Sequence, residues 1–314
     1  MAPIDFSLPD DYTGNTDFES RVTNIKVIGV GGGGGNAVNH MFHQGIYGVD
    51  FVVCNTDQQV LRTSPVGRKV QLGLGVTRGL GAGSKPEIGK EAAKESLDEI
   101  RQLLGDDTDM VLVVAGMGGG TGTGAAPVIA SIARELGILT VGIVTTPFNF
   151  EGPNRSKLAQ QGIQELMRVV DTAITIKNDN LLKFAPKSLS FKKAMHWVDD
   201  VMANAARGIS EIVTREGHIN VDFADLRTTI KDSGTALMGI ATVEGENRAE
   251  RAVEDVLNCP LLDNIDITGA SRLLINISGS EENLGLDEFQ EICEGIQAAA
   301  GNEANCIFGN TYPR

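Results

Sequence analysis

Apolar residues along the chain come in short compact runs separated by amphipathic stretches. Ile25–Val30, Phe51–Cys54, Met110–Ala115, Ile138–Thr145 and Thr172–Lys177 read as strands. Helical spacing fills the gaps, for instance over Lys90–Leu104, Val128–Leu136 and Lys157–Val170. Strands alternating with helices predict parallel βαβ units and a doubly wound sheet covered on both faces. From Phe191 to Thr214 helical spacing runs on, with Val198, Val201, Met202, Ala205, Ile209, Ile212 and Val213 on the buried side. This predicts one long helix, a spine between two domains. A short extended segment at 219–222 follows. A second unit is then expected: strand-like Ala236–Val243, helix Arg248–Leu257, strand Leu273–Ser278, helix Leu286–Ala300 and strand Cys306–Gly309. The division is an arm over 1–20, a first α/β domain over 21–190, the central helix over 191–215 and a second α/β domain with a mixed sheet over 216–314.

Two glycine runs interrupt this pattern at chemically telling places. Gly29-Val30-Gly31-Gly32-Gly33-Gly34-Gly35-Asn36 follows the first strand and precedes a helix with Ala37, Val38, Met41 and Phe42 on one face. Gly118-Gly119-Gly120-Thr121-Gly122-Thr123-Gly124 follows Met110–Ala115 and precedes another helix, with Pro127 near its start. A helix N-terminus presents unpaired N–H groups and the positive end of its dipole, so an anion is favoured there. One glycine run is often a linker. Two, each between a strand and a helix, point to phosphate. Ligands of such sheets bind at the carboxyl ends of the strands, where Asn55-Thr56-Asp57 and Thr145-Thr146-Pro147 also fall.

Charge sharpens the reading. The 314 residues carry a net charge of −14, so a nucleic-acid backbone is an unsuitable partner and a polyphosphate must be gripped locally by backbone amides. No apolar stretch approaches the roughly 20 residues of a membrane span. The first 19 residues are acidic and polar, read as a disordered arm without a signal-peptide core. Cys54, Cys259, Cys293 and Cys306 show no CxxC spacing and read as buried free thiols of a reducing cytoplasm. A dinucleotide dehydrogenase accounts for the first glycine run, with Asp57 on the ribose, but leaves the second unexplained. A P-loop NTPase is disfavoured, because Gly89-Lys90 is followed by Glu91.

The second run matches the signature of the tubulin superfamily. Gly31–Asn36 with Ala37-Val38-Asn39, Asn55-Thr56-Asp57, Gly81-Ala82-Gly83, Phe150-Glu151-Gly152 with Arg155, Asn178-Asp179 and Asn220-Val221-Asp222-Phe223-Ala224-Asp225 resemble the FtsZ family of bacterial cell-division GTPases. The match runs in order from residue 24 to 312, with details most like the Bacteroidetes lineage. The resemblance implies an α/β fold with a Rossmann-like GTPase domain, a long central helix and a second α/β domain. It implies GTP/GDP as ligand and Mg²⁺ held mainly through the phosphates, with room for a monovalent cation such as K⁺. Phosphate contacts fall on Gly32, Gly33, Gly34, Gly35 and Asn36, and on Gly120, Thr121, Gly122 and Thr123. Ala82 and Gly83 approach the γ-phosphate, Glu151 and Arg155 take the ribose and phosphate side, and Asn55, Thr145 and Pro147 complete the rim. Asn178 and Asp199 read guanine. The family often has an aromatic residue packing on the base four positions before Asp199; here that position is Met195. Asp200 is expected to be a bystander.

Asn220, Asp222 and Asp225 are the candidate catalytic groups. Spacing alone suits Asp222 as a helix cap with Asp225 three residues on; the resemblance instead implies insertion into a neighbour's nucleotide site, and the two roles are compatible. The implied protein is a cytoplasmic filament-former at the mid-cell division site. Its partner is a second copy, head to tail, with neither nucleic acid nor direct membrane insertion. Family chains continue past Tyr312 to a tail that recruits regulators and membrane anchors; this chain stops at Arg314 and is expected to lack that function. His40 and His43, three apart, suit either a metal pair or a solvated helix face.

Overall fold

The computed structural model describes residues 23–183, 190–215, 221–262, 265, 267–280, 284–301 and 303–312. The expected arm and Asn220 lie outside them. The chain opens with β1 (Ile25–Val30), α1 (Gly31–Gln44) and β2 (Val49–Asn55). Then come α2 (Gln58–Thr63), β3 (Arg68–Gln71), α3 (Leu74–Thr77), α4 (Pro86–Glu95) and α5 (Leu97–Leu104). The middle holds β4 (Met110–Gly116), α6 (Thr121–Glu135), β5 (Leu139–Thr146), α7 (Pro153–Met167), β6 (Thr172–Lys177) and α8 (Asn178–Lys183). Last come α9 (Phe191–Thr214), α10 (Phe223–Ile230), β7 (Gly234–Ala236), α11 (Arg248–Leu257), β8 (Arg272–Ser278), α12 (Leu286–Ala300) and β9 (Asn305–Thr311).

The main sheet is wholly parallel, in the order β3-β2-β1-β4-β5-β6-β7. Strand order reverses between β1 and β4, so a crevice opens beyond their carboxyl ends. Every residue of β1 is buried, because helices cover both faces. Val27, Leu112 and Val141 point to one side, into a core shared with α1 and α9. Ile28, Val113 and Val144 point to the other, against α4, α5, α6 and α7.

Three differences from the sequence reading have physical causes. The helix expected over Lys90–Leu104 is broken at Ser96, whose hydroxyl accepts from Gly73 N (3.1 Å) and donates to Gln71 O (3.4 Å). A serine satisfied by distant backbone competes with helix continuation. The strand expected over Ala236–Val243 reduces to Gly234–Ala236, and it pairs with β6 as the seventh strand of the main sheet. Residues 237–243 are largely half-buried but meet no partner strand among the described residues. The second sheet is accordingly the parallel pair β8–β9 among those residues, rather than a mixed one. Third, α6 begins at Thr121 and α1 at Gly31, so the glycine runs themselves form the first helical turns. Pro127 therefore sits in the second turn of α6, not the first, and leaves the Thr123 carbonyl without its helical donor.

Candidate nucleotide site and a distant acidic loop

The helices beginning at the switch point are left bare. The N-cap positions of α1 (Val30) and α6 (Gly120) make no side-chain capping bond. Asp57 caps α2 by accepting from Gln59 N and Val60 N, Ser190 caps α9 from Lys193 N, and Asp222 caps α10 from Asp225 N, while α3, α4, α5, α7 and α11 share the lack of a side-chain cap. Two long helices with unpaired first-turn N–H groups, side by side at one crevice, form an anion receptor.

Glycine is required there by close approach. A Cβ on Gly122 would stand 2.6 Å from Gly116 O, and one on Gly120 would stand 2.8 Å from Ala82 Cβ and 2.9 Å from Lys85 N. Neither residue has a positive φ. A side chain there would thus push apart the loops that frame the crevice. Gly32 and Gly33 are exposed at the start of α1, while Gly34 and Gly35 are buried behind them.

The threonine hydroxyls are already engaged. Thr121 Oγ1 lies 2.6 Å from Thr56 Oγ1, and Thr123 Oγ1 accepts from Gly118 N at 2.9 Å. They tie the α6 start to the β2 end and to their own loop. Asn55 Oδ1 accepts from Asp57 N at 3.2 Å, which fixes the turn after β2. Asp57 is occupied as the α2 cap. Ala82, 4% exposed, abuts Gly120, and Gly83 beside it has φ +58°. On the far rim, Thr145 O accepts from Met117 N (2.9 Å), and Pro147 packs beside Gly118. Glu151 accepts from Phe148 N (2.9 Å) and from the guanidinium of Arg155, an exposed pair at the rim.

Beyond α1 lies a cleft of about 490 Å³ lined by Asn36, His40, Phe191, Met195, His196 and Asp199, among others. It brings together Met195 and Asp199, expected at the base, with Asn36, expected on the phosphates. Burial pushes the Asp199 carboxyl up to about 6; His40 and His196 oppose the rise and Asp200 adds to it. Asn178, 7% exposed at the start of α8, has a buried Oδ1 with no hydrogen-bond partner. Gln71 Oε1 and Thr229 Oγ1 share this state, and Asn178 is not among the residues lining the cleft. Phe191, His40 and His196 were missed as cleft residues. The available signal was spacing: Phe191 precedes Met195 by four and Asp199 by eight, and His40 follows Asn36 by four, so each shares a helix face with a named residue.

Asp222 and Asp225 stand elsewhere. Both are exposed; Asp222 Oδ1 accepts from Asp225 N at 2.7 Å, capping α10. The Phe191 end of α9 lines the cleft, whereas Thr214 at its other end packs on Gly48, just before β2. The 24 residues of α9 span about 36 Å. Past that end, Arg227 of α10 donates to Gly137 O (2.9 Å), ahead of β5. The acids therefore belong to the amino edge of the sheet and the cleft to its carboxyl edge.

The strand order, two glycine-rich helix starts at the switch point and a long helix running from the cleft to an acidic loop are the features of the tubulin class of GTPases. Residues 24–186 match the model of the Tubulin/FtsZ family GTPase domain, and residues 234–313 that of the FtsZ family C-terminal domain. The chain belongs to the FtsZ family of cell-division GTPases. It is 50% identical over 287 residues to the cell division protein FtsZ of Wigglesworthia glossinidia brevipalpis, covering 91% of this chain and 74% of that protein. It is 51% identical over 289 residues to the mitochondrial division protein fszA of Dictyostelium discoideum, covering 92% and 55%. Among solved structures, an empty FtsZ dimer from M. jannaschii superimposes with a TM-score of 0.88 at 42% identity, covering 93% of this chain and 84% of that one.

Proposed function

We propose that this chain binds GTP in the switch-point crevice and hydrolyses it only after stacking head to tail, the next subunit supplying Asn220, Asp222 and Asp225. One observation carries the reading: cleft and acids lie at opposite ends of a helix about 36 Å long. One subunit cannot bring them together, but a stacked pair can. Such a contact is heterologous and does not close, so it generates an open filament.

The chemistry follows from what each part offers. First-turn N–H groups of α1 and α6 grip the phosphates, with Gly32, Gly33, Gly120 and Gly122 admitting them closely. Ala82 and Gly83 lie toward the γ-phosphate. Arg155, held by Glu151, supplies formal positive charge at the rim, beside Asn55, Thr145 and Pro147. Asp199 ionised accepts from guanine N1–H and the exocyclic amine, Asn178 adds a contact, and Met195 packs on the ring. Phosphoryl transfer needs chiefly positioning and charge stabilisation. Asp222 and Asp225, fixed by the cap, orient and polarise the attacking water. The phosphate charge would be neutralised by Mg²⁺ arriving with the nucleotide, and K⁺ is a further candidate.

In the cell this reading places the chain in division-ring filaments at mid-cell in the cytoplasm, with its own copies as direct partners. Residues 21–190, 191–215 and 216–314 serve as nucleotide domain, connecting helix and activating domain. The test is phosphate release from GTP against protein concentration. Specific activity should rise above a threshold; a rate strictly proportional to protein throughout would overturn assembly-dependent hydrolysis.

A further inference from the structure

α1 and α9 are joined by a polar ladder as well as by their apolar core. His40 Nε2 lies 2.6 Å from Asp200 Oδ1, and Gln44 Nε2 donates to the same oxygen at 3.1 Å. Gln44 Oε1 accepts from Arg207 Nη2 at 2.6 Å, and Arg207 Nη1 donates to Asn204 Oδ1 at 2.9 Å. An arginine only donates, so Gln44 must turn its oxygen to Arg207 and its amide hydrogens to Asp200. An ionised carboxylate only accepts, so the imidazole nitrogen beside it carries a hydrogen. Gln44 Nε2 also lies 2.7 Å from His40 Nε2, so with His40 donating to Asp200 the Gln44 amide hydrogens turn to the carboxylate and not to the ring. Asp200, expected to be a bystander in base reading, is thus bonded to α1.

Asp199 and Asp200 are successive residues of one helix, about 100° apart around its axis. When Asp200 is fixed toward α1, Asp199 is fixed toward the cleft. We propose that His40 is a positioning residue for base recognition: its bond to Asp200 sets the rotation of α9 that presents the Asp199 carboxylate to guanine. The proposal rests on the base site described above. The charged and titratable groups around His40 are Asp199, Asp200, His196 and Lys192 from α9, Arg207 through Gln44, and His43 from α1 itself. A cationic imidazole here favours ionised Asp199, and the Asp200 charge disfavours it.

The test measures GTP and ATP affinity from pH 5 to 8 by equilibrium competition, on the full chain and on His40→Ala, Asp200→Ala, the double variant and His40→Gln. Each single alanine variant should weaken GTP about tenfold and narrow the GTP/ATP ratio, and the double variant should be no weaker than the worse single one. His40→Gln, whose amide can still donate, should recover most of the loss at pH 7.5. The acid midpoint of GTP binding should move in opposite directions: up in His40→Ala, which loses a favourable cation, and down in Asp200→Ala, which loses a like charge. A merely structural role would not split the midpoints. Should an alanine variant fail to fold, His40→Gln and Asp200→Asn carry the midpoint measurement. Midpoints that stay put or move together, or unchanged GTP/ATP ratios in folded single variants, overturn the proposal. A wild-type chain with no preference for GTP overturns the base-site reading itself, whereas normal preference with unresponsive variants overturns only the clasp.

Discussion

Replacing Asp222 separates its two roles. The structure assigns it one measurable duty, the 2.7 Å bond from Asp225 N that caps α10. Losing an aspartate cap costs about 1 kcal/mol, within a range of roughly 0.5–2. The side chain is exposed, so no cavity or buried charge adds to this. In a chain of this size that corresponds to a melting shift of a few degrees, about 2–4 °C per kcal/mol. Asparagine caps as well as aspartate. Asp222→Asn should therefore melt like the parent, while Asp222→Ala melts a few degrees lower. Hydrolysis should follow the other chemistry: both variants lose the carboxylate, and both should turn over almost no GTP while still binding it. Mixed with wild type, either should depress turnover by more than its mole fraction, since each mutant spoils its neighbour's site. The assay is phosphate release on mixtures at fixed total protein, beside nucleotide binding and thermal melting. Parental turnover in Asp222→Asn would make the residue a cap and nothing more. Lost GTP binding would put the acids in the same subunit's site.

Further outcomes follow from the crevice. Gly122→Ala should cost about 1–3 kcal/mol by forcing its Cβ against Gly116 O, and should weaken GTP; Gly32→Ala, whose Cβ meets nothing within 4 Å, should keep parental stability by chemical denaturation. GTP affinity should fall as pH drops through about 6, because protonated Asp199 no longer accepts two donors from guanine. Nucleotide-free stability should move the opposite way. The folded state binds this proton more tightly than the unfolded chain, so stability rises as pH falls from above 6 toward 4; a pH series of melts with and without GTP shows both signs. Asn178→Ala should weaken GTP several-fold without lowering apo stability, since its Oδ1 has no protein partner to lose; a stability loss with unchanged affinity would contradict the site.

What could be read from the chain was whatever its local pattern decides. Strands buried on both faces announce themselves as apolar runs, and β1 and β6 begin and end where the pattern places them. The same holds for α9, α11 and α12. Short elements such as α2, β3 and α8 carry too few residues for a period to emerge. The break at Ser96 depends on Gln71 and Gly73, more than twenty residues earlier. In the site, glycine and asparagine motifs marked the crevice, but motifs do not say which hydroxyl already holds a protein partner. Thr121 and Thr123 look free in the sequence and are tied to Thr56 and Gly118. Asp200 looks idle beside Asp199 until α1 brings His40 across 160 residues of chain.

The length of α9 carries a consequence of its own. With its Phe191 end beside one opening and its Thr214 end under the opposite edge, the helix acts as a gauge block for the whole body. Each residue removed would shorten the block by about 1.5 Å and turn everything beyond it by about 100°. Exchanges on its surface leave the gauge true; a single deletion would leave both ends intact in themselves and yet out of register with any neighbour built to the same measure.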